Sequence, residues 1–221
     1  MKLLINGIVK LLCGLLLVGL LIFLPAGSLA FANGWLFIGL LFVPMFILGV
    51  VLFIKAPQLL KKRLNAKEKE ATQKGVVGLS ALVFVGGFIV SGLDFRFGWS
   101  NMPTSIVIIA SVIFLLSYVM YAWVMKENAY LSRTIEVQEN QKVVDTGLYS
   151  IVRHPMYAAT ILLFLAIPVV LGSWWGLVIF LLYPPIIAVR IINEEKVLTQ
   201  QLSGYSEYKE KVKYRLIPFV W

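Results

Sequence analysis

The chain has 221 residues, of which 60% are hydrophobic and 14% are charged, and its net charge is +9. A soluble domain is typically about 45–50% apolar and about 25% charged, so this composition excludes an ordinary soluble protein and indicates an integral membrane protein. The basic residues fall mostly in loops beside apolar segments, which is the pattern that sets membrane topology, and we expect no nucleic-acid partner. Cys13 is the only cysteine, which excludes an intrachain disulfide, and one cysteine with one histidine argues against a metal site of the zinc type.

Six apolar segments predict membrane-spanning helices, because a span needs about 20 mostly apolar residues. The last two are joined only by Gly172-Ser173, which predicts an antiparallel helical hairpin. Proline interrupts both of them and is tolerated in a membrane where neighbouring groups re-satisfy the backbone. The predicted spans are residues 4–24, 33–54, 76–93, 104–125, 156–171 and 174–192.

The connection at residues 55–74 is rich in lysine and arginine and is therefore expected on the cytoplasmic side. The opposing connections are almost uncharged, with only Asp94 and Arg96 before the fourth span. A topology with six spans and both chain ends in the cytoplasm agrees with the charge of every loop. Loop 126–155 and the tail after residue 193 should then lie on the same side, where they could build one site.

We therefore predict an all-α integral membrane protein with about six transmembrane helices, divided into N-terminal helices (1–125) and a C-terminal core (126–221). A second interpretation of the N-terminus stays open. Lys2, Lys10 and the small residues at 28–30 also resemble a cleavable signal peptide, which would leave five spans. The basic segment 61–74 is predicted to be a solvated helix that contacts lipid headgroups.

The segment at residues 147–157 carries the only histidine, His154, between two apolar runs. Ionisable groups at such a position are costly and are by default a functional-site hypothesis. Pro155 is predicted at the first position of the fifth span, and the free N–H groups of that helix end suit an anionic group. The alternative is structural, with Arg153 extended toward lipid headgroups and His154 as a hydrogen-bonded interfacial residue.

The sixth span ends in a charged cluster. Arg190 and Glu194 are four residues apart and share a helix face, whereas Glu195 points elsewhere. Because a carboxylate is disfavoured at a helix C-terminus, these glutamates require a partner. Either an Arg190–Glu194 ion pair or a cationic ligand would supply one.

Three ordered blocks of the second half resemble the isoprenylcysteine carboxyl methyltransferase family, which includes phospholipid methyltransferase relatives. Their patterns are Gly-x-Tyr…Arg-His-Pro-x-Tyr, Arg-x-x-x-Glu-Glu-x-x-Leu, and Gly-Tyr-x-x-Tyr followed by Arg-x-x-Pro. The resemblance covers about residues 126–221, and the first four spans resemble only generic membrane helices. The blocks read Gly147-Leu148-Tyr149 with Arg153-His154-Pro155-Met156-Tyr157, Arg190 with Glu194-Glu195-Lys196-Val197-Leu198, and Gly204-Tyr205-Ser206-Glu207-Tyr208 with Arg215-Leu216-Ile217-Pro218.

The resemblance implies a cytoplasmic pocket for S-adenosylmethionine. Glu194 is implied to bind a hydroxyl or amino group of the cofactor, Arg190 to face the substrate, and Arg190 and His154 to be the catalytic residues, with His154 acting by positioning. The implied cofactor-binding residues are Gln141, Lys142, Val143, Val144, Tyr149, His154, Pro155, Met156, Tyr157 and Glu194.

The implied activity is methyl transfer to a lipophilic or lipidated acceptor, such as the carboxylate of an isoprenylcysteine-like substrate, in a multi-pass protein of a prokaryotic plasma membrane. Two alternatives remain: an NADPH-dependent reductase of the sterol reductase type and a non-enzymatic membrane protein. Met156 stands where sterol reductases favour asparagine. The tail at 196–214 has apolar residues at helical spacing and predicts an amphipathic helix, either a lid over the cofactor or a membrane-surface anchor.

Overall fold

A computed structural model describes residues 2–64, 71–132, 134–135 and 137–221. Within these ranges the regular structure is entirely helical, which confirms the predicted fold class. Residues 65–70 of the predicted basic helix lie outside the described residues. The helices are α1 (Lys2–Ala26), α2 (Ala32–Lys55), α3 (Pro57–Leu64), α4 (Ala71–Phe97), α5 (Thr104–Glu127), a 3₁₀ helix (Gly147–Ser150), α6 (Pro155–Val170), α7 (Trp174–Phe180), α8 (Tyr183–Gln201) and α9 (Tyr205–Lys211).

Within the described part of the chain, five apolar helical stretches are long enough to cross a membrane: α1, α2, α4, α5 and the combined stretch Trp174–Gln201. The predicted fifth span, α6, has 16 residues, which corresponds to about 24 Å at 1.5 Å per residue. That is shorter than a hydrocarbon core of about 30 Å. The predicted sixth span is interrupted between α7 and α8, because Pro184 and Pro185 lack the N–H donors that would continue the helix.

The turns α1–α2, α4–α5 and α6–α7 meet at one end of the bundle. The carboxylate of Asp94 accepts hydrogen bonds there from the Ser100 backbone N–H at 2.7 Å and from the Ser173 hydroxyl at 2.5 Å. The rings of Phe31 and Phe95 stack beside them with centroids 4.2 Å apart. Buried carboxylates are costly unless hydrogen-bonded, so this cluster locks the three turns together.

Basic side chains and the C-terminal segments lie at the other end of the bundle. Lys62 donates to the side chain of Gln138, and Arg63 donates to the hydroxyl of Tyr121. Loop 128–154 and the tail after residue 193 are joined at this end, as the sequence predicts, through contacts described below.

Helix α4 is the central element of the bundle because two of its glycines allow close approach. A side chain at Gly87 would come within 2.3 Å of the Phe180 ring on α7, and one at Gly92 within 2.5 Å of the Ile22 carbonyl on α1. The aromatic core formed by Phe84, Phe88 and their neighbours fills the space beside it. Helix α4 therefore contacts both the N-terminal helices and the C-terminal hairpin.

Candidate functional site

A cavity of about 480 Å³ lies at the basic end of the bundle, among α4, α6, α8, α9 and loop 128–144. This volume is within the range of about 300–1,000 Å³ that small-molecule sites occupy. Its wall has two chemically different parts, which we call the polar wall and the apolar wall.

The polar wall comes from loop 128–144, the segment before α6, the C-terminal part of α8 and α9. It supplies hydroxyl, carboxylate, imidazole and backbone groups. Its members are Asn128, Tyr130, Ser132, Gln141, Lys142, Val143, Val144, Tyr149, Arg153, His154, Glu194, Tyr205 and Tyr208.

The apolar wall lies farther along the helices, between α4, α6 and α8. The rings of Phe84, Phe164 and Tyr183 come from these three helices and pack edge to face against one another. Other members continue this surface. They are Val76, Val77, Ser80, Ala81, Thr160 and Ile187.

Tyr157 stands where the two walls meet and joins Arg190 to Glu194. Its hydroxyl donates to Glu194 Oε2 at 2.6 Å and accepts from Arg190 Nε at 2.8 Å. Arg190 Nη1 also donates to Gln73 Oε1 at 2.9 Å. Of the two partners that the sequence allows for Glu194, the direct ion pair to Arg190 is not formed among the described residues, because a tyrosine from α6 bridges the two side chains.

Glu195, the neighbour of Glu194, points away from the cavity and organises the segment before α6. Its Oε1 accepts from Arg153 Nε at 2.6 Å and lies 3.3 Å from His154 Nε2, while its Oε2 accepts from Arg215 Nε at 2.8 Å. Arg153 is 7% exposed and also donates to the carbonyls of residues 212 and 213. The alternative in which Arg153 extends to lipid headgroups is therefore wrong.

The C-terminal segment crosses the start of α6 and closes this side of the site. The N–H groups of Arg153 and His154 donate to the carbonyls of Tyr214 and Arg215, both at 2.9 Å. Pro155 begins α6, as predicted, with His154 at the N-cap position. Because these backbone groups are paired, the orientation of His154 is determined by both its backbone and its imidazole contact to Glu195.

The predicted amphipathic helix at 196–214 is two helices, not one. Gly204 adopts a left-handed conformation with φ of 82° and separates α8 from α9. The apolar residues of the tail turn inward and form a buried cluster with Val137 and Val143, and the Tyr208 hydroxyl donates to the Tyr149 carbonyl at 2.7 Å. Because these side chains pack against the protein, the apolar face of the tail is not a membrane-surface anchor.

A tight turn before Tyr149 explains the glycine of the first sequence block. Gly147 has φ of 55°, and a Cβ there would lie 1.7 Å from Glu127 Oε1. Glu127 Oε2 accepts from the Leu148 backbone N–H at 3.2 Å. Asn128 then donates to the Tyr149 hydroxyl at 3.0 Å, so the end of α5 positions this tyrosine at the cavity.

The cavity brings together every predicted site residue except Pro155, which is buried and lies outside the lining. Sequence reasoning missed Gln73, since nothing in α4 distinguishes it. It also gave no role to the Tyr205 hydroxyl, which is buried at the cavity and has no hydrogen-bond partner among the described residues. Burial raises the pKa of Tyr205 well above its ordinary value, so this hydroxyl stays protonated and able to donate at neutral pH.

Comparison with known proteins shows that this helical membrane protein is similar to a family of methyltransferases. Residues 104–204, from α5 to the residue before α9, match the family model described as phospholipid methyltransferase. Over this segment the chain is similar to the superfamily that contains the isoprenylcysteine carboxyl and phospholipid methyltransferases, which confirms the resemblance seen in the sequence. A search of curated proteins found no match to the chain.

Proposed function

We propose that the chain is an S-adenosylmethionine-dependent methyltransferase that modifies a lipophilic acceptor in the membrane. The observation that carries the proposal is a single cavity whose polar wall and apolar wall meet at the Tyr157 hydroxyl. A water-soluble cofactor needs a polar wall and a lipophilic acceptor needs an apolar one. Transfer of a group between the two molecules requires that the two walls adjoin.

The polar wall has groups that suit the cofactor. Glu194 offers a carboxylate for ribose hydroxyls or an ammonium group, and the Tyr205 hydroxyl offers a buried donor that the described residues do not use. The segment at 141–144 lines the same wall, which supports the backbone contacts to the cofactor that the family resemblance implies. Aromatic faces such as those of Tyr149 and Tyr157 attract a sulfonium cation through their quadrupoles.

S-Adenosylmethionine, when bound, supplies a methyl group already activated on a sulfonium. The residues of this chain therefore have to bind the cofactor and the acceptor, align the two and exclude water. Such alignment is itself a large source of rate enhancement. We assign Arg190 to the acceptor because it lies beside the apolar wall and carries a positive charge. This placement favours a carboxylate acceptor, as in an isoprenylcysteine-like substrate, since a guanidinium binds a carboxylate through parallel hydrogen bonds.

We assign a positioning role to His154. Its imidazole is 5% exposed and lies against Glu195, so the ring is fixed at the edge of the cavity. Transfer to an ionised carboxylate requires no proton removal, and general-base help contributes only where a proton leaves. His154 then shapes the cofactor site without acting as an indispensable base.

The orientation of the site follows from the charge distribution. The cavity opens at the end of the bundle that carries α3 and its lysines, and basic segments of membrane proteins remain in the cytoplasm. We propose that the site faces the cytoplasm in the plasma membrane of a prokaryote, where the cofactor enters from the cytoplasm and the acceptor from the bilayer.

Equilibrium binding to the purified full-length protein tests the proposal. S-Adenosylhomocysteine, the product form of the cofactor, should bind, and NADPH should not compete with it. Glu207→Gln, an exposed change on α9 away from the cavity, serves as the control and should bind as the wild type does. Binding of NADPH in place of S-adenosylhomocysteine would support the reductase alternative, and binding of neither would support a non-enzymatic protein.

A further inference from the structure

Gln73 is a fully buried polar residue in the first turn of α4, at 0% exposure, and it contacts the site from outside the family-matched segment. Its Oε1 accepts from Arg190 Nη1 at 2.9 Å, across a separation of 117 residues. The match to the methyltransferase family begins at residue 104. The N-terminal half of the chain therefore supplies a side chain to the machinery of the C-terminal half.

The chemistry of the contact determines how the Gln73 amide is oriented. A guanidinium has only donors, so the amide must present its oxygen to Arg190. Its Nε2 then points elsewhere, and this atom is buried without a hydrogen-bond partner among the described residues. In the part of the chain that the structure describes, the hydrogen bond that this amide makes is therefore the one from Arg190 to its oxygen.

Among the described residues, hydrogen bonds to two different helices orient the guanidinium. Tyr157 on α6 accepts from Nε, and Gln73 on α4 accepts from Nη1. Because the guanidinium is planar and rigid, acceptors on two of its nitrogens determine the direction of the whole group. One turn after Gln73, α4 contributes Val76 and Val77 to the apolar wall, so this glutamine lies where the acceptor's apolar part would meet its reactive group.

We propose that Gln73 is a positioning residue: it orients the Arg190 guanidinium toward the methyl acceptor and does not contribute to cofactor binding. The inference rests on the proposed function, because it assigns the acceptor to Arg190. It adds that the reactive geometry depends on α4, so that the helices before residue 104 are part of the enzyme's active site and not only its membrane anchor.

The test compares two substitutions that separate the oxygen contact from simple packing. Gln73→Met keeps the side-chain length and helix propensity but removes the strong acceptor, whereas Gln73→Glu keeps an acceptor oxygen for Arg190 but adds a carboxylate that competes with the acceptor for the guanidinium. Ser111→Ala on α5 is the control, because the Ser111 hydroxyl only donates to the carbonyl of its own helix at Val107.

The assay uses full-length protein in nanodiscs of total bacterial lipid extract, with methyl-tritiated S-adenosylmethionine and counting of the organic phase. Gln73→Met should lower turnover by about 10- to 100-fold, the range that a small misplacement of a reacting group costs, while the Kd for S-adenosylhomocysteine stays within about twofold. Gln73→Glu should also lower turnover, because its carboxylate pairs with Arg190 and repels a carboxylate acceptor, and it should likewise leave this Kd within about twofold.

Normal turnover in Gln73→Met would overturn the inference. So would an equal loss of cofactor affinity, which would indicate a general structural role, or a Gln73→Glu variant with the turnover of the wild type. A wild type that binds S-adenosylhomocysteine but labels no lipid would refute a lipid acceptor and, with it, this inference. A wild type that does not bind S-adenosylhomocysteine would refute the proposed function itself, so the two failures are distinguishable.

Discussion

Arg153 and Glu195 form a buried ion pair, with Arg153 Nε 2.6 Å from Glu195 Oε1 and both side chains at most 5% exposed. The pair joins the segment before α6 to the C-terminal part of α8, and Arg215 of the tail contacts the same carboxylate. Three separate parts of the chain thus depend on one glutamate. Because the pair lies beside His154 and next to Glu194 in sequence, it also determines the shape of the cavity.

Glu195→Gln should strongly destabilise the protein. The substitution leaves the Arg153 charge buried without its counter-ion, and breaking a buried pair from one side typically costs about 3–5 kcal/mol. The thermal unfolding midpoint of the detergent-solubilised protein should therefore fall well below that of the wild type. Glu207→Gln is the matched control, since an exposed substitution should change stability by less than about 0.5 kcal/mol. Equal midpoints for Glu195→Gln and the wild type would contradict the structural role.

Gly147→Ala should also destabilise the turn that presents Tyr149. The new Cβ would overlap the Glu127 carboxylate at 1.7 Å, and alanine disfavours the φ of 55° found at this position. The unfolding midpoint and the affinity for S-adenosylhomocysteine should both fall. Gly78→Ala in α4 is the control, because a Cβ there meets nothing within 4 Å, and alanine is favoured over glycine in a helix by about 1 kcal/mol.

The double variant Glu127→Ala with Gly147→Ala separates the two causes of destabilisation at this turn, which are the overlap with Glu127 and the backbone strain. Removing the carboxylate relieves the overlap but not the backbone strain, so the double variant should recover part of the lost stability. A single Gly147→Ala variant with unchanged stability would show that the turn tolerates a side chain.

Much of the fold is predictable from hydropathy because the apolar stretches of α1, α2, α4 and α5 are recognisable without tertiary context. The limits of the C-terminal hairpin are less predictable. Pro184 and Pro185 are visible in the sequence, yet whether such prolines bend a helix or end it depends on the neighbours that re-satisfy the backbone. In the structure, α7 ends before these two prolines and a new helix, α8, begins at Tyr183.

The members of the site are predictable from the sequence blocks, but their partners are not. Helical spacing places Arg190 and Glu194 on one face and allows either a direct pair or a cationic ligand. Spacing within one helix cannot show that Tyr157 of another helix lies between the two side chains. The Arg153–Glu195 pair and the Gln73–Arg190 contact join residues far apart in sequence. Such contacts depend on how the helices pack, which a single sequence does not reveal.

Glu194 is predicted to affect cofactor binding, and Arg190 is predicted to affect turnover. Glu194→Gln should weaken binding of S-adenosylhomocysteine by about 1–3 kcal/mol, the cost of losing a hydrogen bond to a charged group. Arg190→Gln should leave this affinity nearly unchanged and reduce turnover, because it faces the acceptor. Isothermal titration for binding and tritium transfer for turnover measure the two effects. Equal loss of cofactor affinity in both variants would contradict the separate roles.

The membrane orientation predicts opposite labelling at the two ends of the bundle. In a Cys13→Ser background, Lys61→Cys on α3 and Leu29→Cys in the α1–α2 turn provide single exposed thiols. A membrane-impermeant maleimide added to intact cells should label residue 29 and not residue 61, and disruption of the cells should expose both. Labelling of the two positions from the same side of the membrane would contradict the topology.

An experimental structure of the full-length protein with S-adenosylhomocysteine would test directly whether the cavity is the cofactor site. The ligand should occupy the polar wall of the cavity, within hydrogen-bond distance of Glu194 and the Tyr205 hydroxyl, with its sulfur directed toward Tyr157 and the apolar wall. Ligand bound elsewhere on the protein, or in this cavity without a contact to either Glu194 or Tyr205, would contradict this assignment.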